Sequence, residues 1–218
     1  NVLYGLENTH KITLKNIIQH TLSVKKGIKN SLLAVDMPKG SYTNIKKAEK
    51  NAKSIMLLTG CDAVKIESNK KNYKIIERLV KKNIPVIGHI GFTPQFKKKF
   101  KIEGSTKDKA NKLLKEALLI EKAGAFSIVL ECISPKASKL ITEKLEIPTI
   151  GIGSSSYCDG QILVTDDMLG ISGFYPKFVK KYLDLNRLIE KAVKEYTRDV
   201  KIKKFPAISN FYNEPKYW

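Results

Sequence analysis

Arginine is scarce in a chain that is otherwise strongly basic. Of 40 lysine and arginine residues only Arg78, Arg187 and Arg198 are arginine, although the formal net charge is +19. Specific contacts to bases and phosphates favour the planar arginine fork. Apart from the runs Lys97-Lys98-Lys99 and Lys203-Lys204, the lysines are spread over every expected helix. The excess reads as solvated helix faces, and nucleic acid is not an expected partner. Long apolar runs are also missing. None reaches the roughly 18 residues that a membrane-spanning helix requires, so no membrane association is expected. The opening residues Asn1 to Gly5 pass straight into Glu7 and Asn8 without the pattern of a secretory signal. Cysteine is limited to Cys61, Cys132 and Cys158, with no CxxC spacing. Three thiols cannot all pair, which points to free cysteines and a cytoplasmic setting. Gly151-Ile152-Gly153-Ser154 resembles a phosphate or substrate loop, but the third glycine of a dinucleotide fingerprint is absent, and NAD binding is excluded on that ground.

What is present is an alternation of short apolar runs with helical patterns. Leu32–Asp36, 62–67, 84–89, 127–132 and 148–153 read as buried strands, with a further short strand at 161–165. Between them lie a helix capped by Thr13 and ending near Gly27, one from about Thr43 to Gly60, and others near 70–82, 107–123 and 135–145. A long helical region is expected over 177–200. Strict βα alternation predicts a parallel sheet in one α/β domain over residues 1–218. Five or six strands are visible where a closed barrel needs eight. The pattern leaves open whether the sheet is open or belongs to a barrel whose first strands lie outside this sequence.

Four of the runs end in polar groups: Asp36, Glu67, His89 and Glu131. In a parallel array the C-terminal strand ends share one face, where barrel enzymes build their active sites. Lys65 and Glu67 are two apart on one strand and therefore share a face. Both sit among Ala63, Val64 and Ile66, and buried charges are rare unless paired or functional. Two carboxylates without a cysteine or histidine cluster suit Mg²⁺ better than zinc. Glu131 follows Ile128, Val129 and Leu130, so desolvation should raise its pKa and favour acid–base work. Gly88 and Gly91 around His89 permit close approach of a ligand. His10 and His20 have no special context.

Longer segments carry a family resemblance. Asp36-Met37-Pro38-Lys39-Gly40-Ser41-Tyr42, Val64-Lys65-Ile66-Glu67, Gly88-His89-Ile90-Gly91-Phe92-Thr93-Pro94-Gln95 and Leu130-Glu131-Cys132 resemble signatures of ketopantoate hydroxymethyltransferase. So do 147–153, 159–164, 167–170 and 176–179, and the match runs in register to about residue 200. The resemblance implies a (β/α)8 TIM barrel of the phosphoenolpyruvate/pyruvate-like type, a homodecamer, and a place in cytoplasmic pantothenate biosynthesis. It implies transfer of a hydroxymethyl group from 5,10-methylenetetrahydrofolate to 3-methyl-2-oxobutanoate, giving 2-dehydropantoate. Carried over, Asp36 and Glu67 would hold Mg²⁺. Asp36, Lys65 and His89 would contact substrate, and Glu131 would accept the C3 proton.

The family opens with two further strands, the second ending in a Gly-Asp-Ser segment whose Asp is another Mg²⁺ ligand. This sequence starts just beyond that point. The resemblance therefore predicts an N-terminally incomplete barrel and a fragment of a longer enzyme, with an exposed sheet edge ill suited to a stable monomer. The basic loop 97–105 and the tail 201–218 also diverge from the family. Two other readings remain at this stage. A Mg²⁺-dependent 2-oxo acid lyase of the isocitrate lyase type would share the barrel and its chemistry, but its usual Lys-Lys-Cys-Gly-like segment does not occur here. A catalytically decayed, assembly-only chain is the third.

Overall fold

A computed structural model describes residues 3–6, 8–68, 72–97 and 100–212. By its contacts the chain divides into two compact units, residues 1–163 and 164–218, where sequence pattern alone suggested one domain.

The first unit is a βα array. Its helices are α1 (Leu14–Lys25), α2 (Ile45–Thr59), α3 (Tyr73–Val80), α4 (Lys107–Lys122) and α5 (Pro135–Thr142). Its strands are β1 (Ala34–Asp36), β2 (Ala63–Glu67), β3 (Val86–Gly91), β4 (Ser127–Glu131), β5 (Thr149–Ile152) and β6 (Gly160–Gln161). All neighbouring strands pair in parallel, in the order β1-β2-β3-β4-β5-β6. Consecutive parallel strands joined by helices form an incomplete barrel wall, as expected. Among the described residues β1 and β6 are its two edges.

Local sequence explains most element ends. Thr13 caps α1 by accepting from the Asn16 backbone, and the Asn16 side chain accepts from the Thr13 backbone in return. Asn44, one residue after the expected start at Thr43, caps α2 through Lys47 N–H. Gly60 ends that helix at φ +58, the left-handed turn that glycine adopts without strain. The expected start of the third helix near residue 70 lies outside the described residues. The strand expected at 161–165 is shorter: only Gly160 and Gln161 pair with β5.

The strand register gives the sheet two faces of opposite character. Val64 pairs with Val86, Ile66 with Gly88, and Gly88 with Ile128. These residues turn toward the helices and join Ala48, Ala52, Ile55, Ile120 and Ile141 in the core. Gly88 lets α4 approach the sheet, since a Cβ there would lie 2.4 Å from Ile120 Cγ2. The alternate residues Lys65, Glu67, His89 and Glu131 point to the other face.

In the second unit, α6 (Thr165–Leu169) starts where the last expected strand was to end. Asp166 and Asp167 occupy its first turn, where the helix dipole favours acidic groups over continued extension. The helix expected from residue 177 begins only at α7 (Leu185–Lys201), because Asp184 accepts from Arg187 N–H and sets the start there.

Gly91 is the tightest backbone position at the strand ends. It sits at φ +93, and a Cβ would fall 2.1 Å from the Glu131 carbonyl oxygen. Gly40 has a similar φ of +81 but nothing within 4 Å. In urea unfolding, Gly91→Ala is expected to cost at least about 3 kcal/mol, from strain plus a backbone clash. Gly40→Ala should cost only about 1 kcal/mol. Equal losses would refute this account.

Candidate active site

Three of the four polar strand ends, Asp36, His89 and Glu131, are joined through Lys65, and the fourth, Glu67, lies beside His89 in the sheet. Lys65 Nζ lies 3.2 Å from Asp36 Oδ2 and 3.1 Å from His89 Nδ1. His89 Nε2 stands 3.1 Å from Glu131 Oε2. A continuous chain Asp36–Lys65–His89–Glu131 thus crosses the C-terminal ends of β1 to β4. Backbone pairing builds it, setting Asp36 beside Lys65, Glu67 beside His89 and Gly91 beside Glu131. Directly after Glu131, Cys132 takes φ +53, a left-handed backbone conformation at the end of β4.

Lysine offers only donors, so Lys65 donates to Nδ1 and the His89 proton resides on Nε2. Nε2 faces Glu131 at an angle that misses hydrogen-bond geometry. It is a buried polar atom with no hydrogen bond among the described residues. Burial, then the positive charge of Lys65, holds the His89 pKa well below its ordinary value. The ring is therefore neutral at neutral pH and presents one N–H toward the site.

The two carboxylates behave alike. Glu131 is pushed up to about 7, chiefly by burial, with Glu67 and Asp36 adding to the rise and Lys65 opposing it. Glu67 is also raised to about 7, chiefly by burial, although a hydrogen bond from Gln95 N–H to its Oε2 at 2.9 Å and the charges of Lys65 and Lys39 pull it down. Asp36, by contrast, is well exposed, with a side-chain exposure of 58%.

For a cation, the fitting donors are Asp36 and Glu67. Asp36 lies close enough to disfavour the Glu67 anion, both supply only hard oxygen, and among the described residues Glu67 is buried without a cationic hydrogen-bond partner. Mg²⁺ typically takes one or two protein carboxylates and completes its shell with water and substrate oxygens. The pair matches that pattern. Among the described residues no group of three or more His, Cys, Asp or Glu side chains gathers as a metal cage.

Several residues near the site were given no contacts by the sequence pattern. Tyr42 O–H donates to Gln95 Oε1 at 2.6 Å, across a separation of 53 residues that no local spacing encodes. His10, which had no special context, contacts Pro94 O through Nε2 at 3.0 Å and Lys39 Nζ through Nδ1 at 3.2 Å. Lys97 joins Gly91 O to Glu103. The Ser154 hydroxyl donates to Leu130 O and accepts from Ile133 N–H, which ties the loop after β5 to the end of β4.

A family model described as ketopantoate hydroxymethyltransferase matches residues 1–208. The chain belongs to the ketopantoate hydroxymethyltransferase family. The 3-methyl-2-oxobutanoate hydroxymethyltransferase of Pelagibacter ubique is 44% identical over 212 residues, covering 97% of this chain and 82% of the relative. That of Clostridioides difficile is 46% identical over 210 residues, covering 94% and 76%. These family members are named as one-carbon transferases, which makes the chain a member of an enzyme family. Among solved structures, the phosphoenolpyruvate phosphomutase of Streptomyces platensis subsp. rosaceus matches with a TM-score of 0.55 at 14% identity, over 94% of this chain and 74% of that one. A phosphonopyruvate hydrolase matches with a TM-score of 0.53 at 11% identity, over 95% and 74%. At such identities the likeness shows the fold alone, and it is the barrel fold that the resemblance implied. No helix among the described residues is long and apolar enough to cross a membrane.

The ammonium of Lys65 depresses both Glu67 and Glu131 and also disfavours protonation of His89. In the metal-free chain, Lys65→Met should move both carboxylates above about 7 and move His89 upward, while burial keeps His89 below its ordinary value. Carboxyl and imidazole NMR titrations read this directly; unchanged Glu131 titration would contradict the geometry.

Proposed function

We propose that this chain transfers a hydroxymethyl group from 5,10-methylenetetrahydrofolate to 3-methyl-2-oxobutanoate, giving 2-dehydropantoate in pantothenate biosynthesis. The observation that carries the reading is the Asp36–Lys65–His89–Glu131 chain at the strand ends of a member of this family. A magnesium ion held by Asp36 and Glu67 would act as a Lewis acid toward the oxo acid's carbonyl.

Each residue then has a task suited to its state. Glu131, desolvated and poised near neutrality, takes the C3 proton as general base. The loss of that proton leaves an enolate, whose developing charge meets the donors of Lys65 and the Nε2–H of neutral His89. Lys65 also counters the substrate carboxylate. The nucleophilic C3 forms its new bond to the one-carbon unit as one carbon–nitrogen bond of the folate's methylene bridge breaks. Water then displaces the second folate nitrogen from that carbon and supplies the hydroxyl. The two nitrogens take up the C3 proton and a water proton as tetrahydrofolate leaves. The unmatched His89 Nε2–H is a site for a substrate or product oxygen, since a buried donor left unpaired is costly. A cytoplasmic homodecamer accompanies this reading through the family resemblance, and the buried free thiols Cys61, Cys132 and Cys158 are compatible with a reducing compartment.

Enolisation can be followed without folate. The chain, given Mg²⁺ and 3-methyl-2-oxobutanoate in D₂O, should exchange the C3 proton by NMR. Glu131→Gln should slow exchange by about 10²- to 10⁴-fold. A base must be ionised, so the rate should climb as pH rises through the Glu131 pKa and level off above it. That pKa is about 7 without cation and lower once a cation is nearby. Exchange that ignores both pH and Glu131 would reject the assignment.

A further inference from the structure

Gln95 is bound in three directions at once. Its backbone N–H donates to Glu67 Oε2 at 2.9 Å, its Nε2 donates to Met37 O at 2.9 Å, and its Oε1 accepts from the Tyr42 hydroxyl at 2.6 Å. Only one orientation of the amide satisfies these partners. The Met37 carbonyl can only accept, so the amide nitrogen must face it, which leaves Oε1 for a donor. Tyr42 is that donor: burial first, and the charge of Glu67 next, push its phenol well above the ordinary range, so it keeps its proton.

The partners make this network more than a loop staple. Met37 is fully buried, directly follows Asp36, and donates its N–H to Lys65 O. Gln95 thus grips β1 one residue past the Asp36 carboxylate and, through its backbone, grips the Glu67 carboxylate on β2. Tyr42 and Gln95 are both buried, 4% and 8% exposed, so water cannot readily replace these bonds. We infer that Gln95, held in a single amide orientation by Tyr42, is a positioning residue that sets the placement of Asp36 and Glu67 for a divalent cation. The inference rests on the cation reading given above for those two carboxylates. Neither Gln95 nor Tyr42 need touch the cation; they act through the carboxylates, as partners behind metal ligands commonly do.

The test is Mn²⁺ binding to the metal-stripped full chain, read by electron paramagnetic resonance, for wild type, Tyr42→Phe, Gln95→Met and Glu67→Gln. Metal-free melting curves run alongside. Loss of such outer partners typically weakens metal binding about 10- to 100-fold. Gln95→Met should fall in that range, and Tyr42→Phe near its lower end with an altered Mn²⁺ spectrum, while the metal-free melting temperature of Tyr42→Phe stays close to wild type. Should Gln95→Met fail to fold, Tyr42→Phe carries the test. Wild-type affinity and spectrum in both variants, with binding lost in Glu67→Gln, would overturn the positioning role and leave the cation reading standing. Wild-type binding by Glu67→Gln would overturn the cation reading and the inference with it.

Discussion

Parallel pairing of β1 through β4 places charged groups within contact distance of one another on one face of a sheet whose other face is apolar. The register that sets Val64 against Val86 and Gly88 against Ile128 also sets Glu67 beside His89 and Gly91 beside Glu131. A slip of one residue would turn the carboxylates into the helix-packed core and the aliphatic residues toward the strand-end face. The hydrophobic effect therefore holds the site in register, because Ile66, Val86, Ile128 and Leu130 must remain against the helices.

That arrangement carries an electrostatic cost with chemical use. Glu67, His89 and Glu131 are buried, and each is driven toward its neutral form by desolvation. Lys65 is the only cation in the chain of contacts among the described residues, and it touches both Asp36 and the imidazole. By donating to Nδ1 it leaves the Nε2 proton near Glu131 but without a hydrogen bond there. Burial raises Glu67 and Glu131 to about 7 while the charge of Lys65 opposes the rise, and such a site suits both a divalent cation and an anionic substrate.

Backbone geometry at the strand ends supports the same end. Gly91 has a positive φ against the Glu131 carbonyl, Phe92 N–H donates to that carbonyl, and Cys132 adopts a left-handed backbone conformation. These features lie at the ends of two adjacent strands, where their side chains must face the mouth. The loop that follows β3 then folds back, through Gln95, onto the ends of β1 and β2.

Alternating apolar runs and helical caps determined the order of elements in residues 1–163, the parallel sheet and the residues at its strand ends, because period, capping and burial act over a few residues at a time. Long motifs in order likewise pointed to the family. Weak local signals failed where neighbours compete. The two acidic residues after Val164 start a helix where a strand was expected, and Asp184 delays the last helix. Only the tertiary structure decided which groups touch: the proton position on His89, the pairing of Lys65 with both Asp36 and His89, and the grip of Tyr42 and Gln95 on Glu67 and Met37. Those contacts join residues up to 58 positions apart, so they depend on strand register and loop closure rather than on any spacing within a single element.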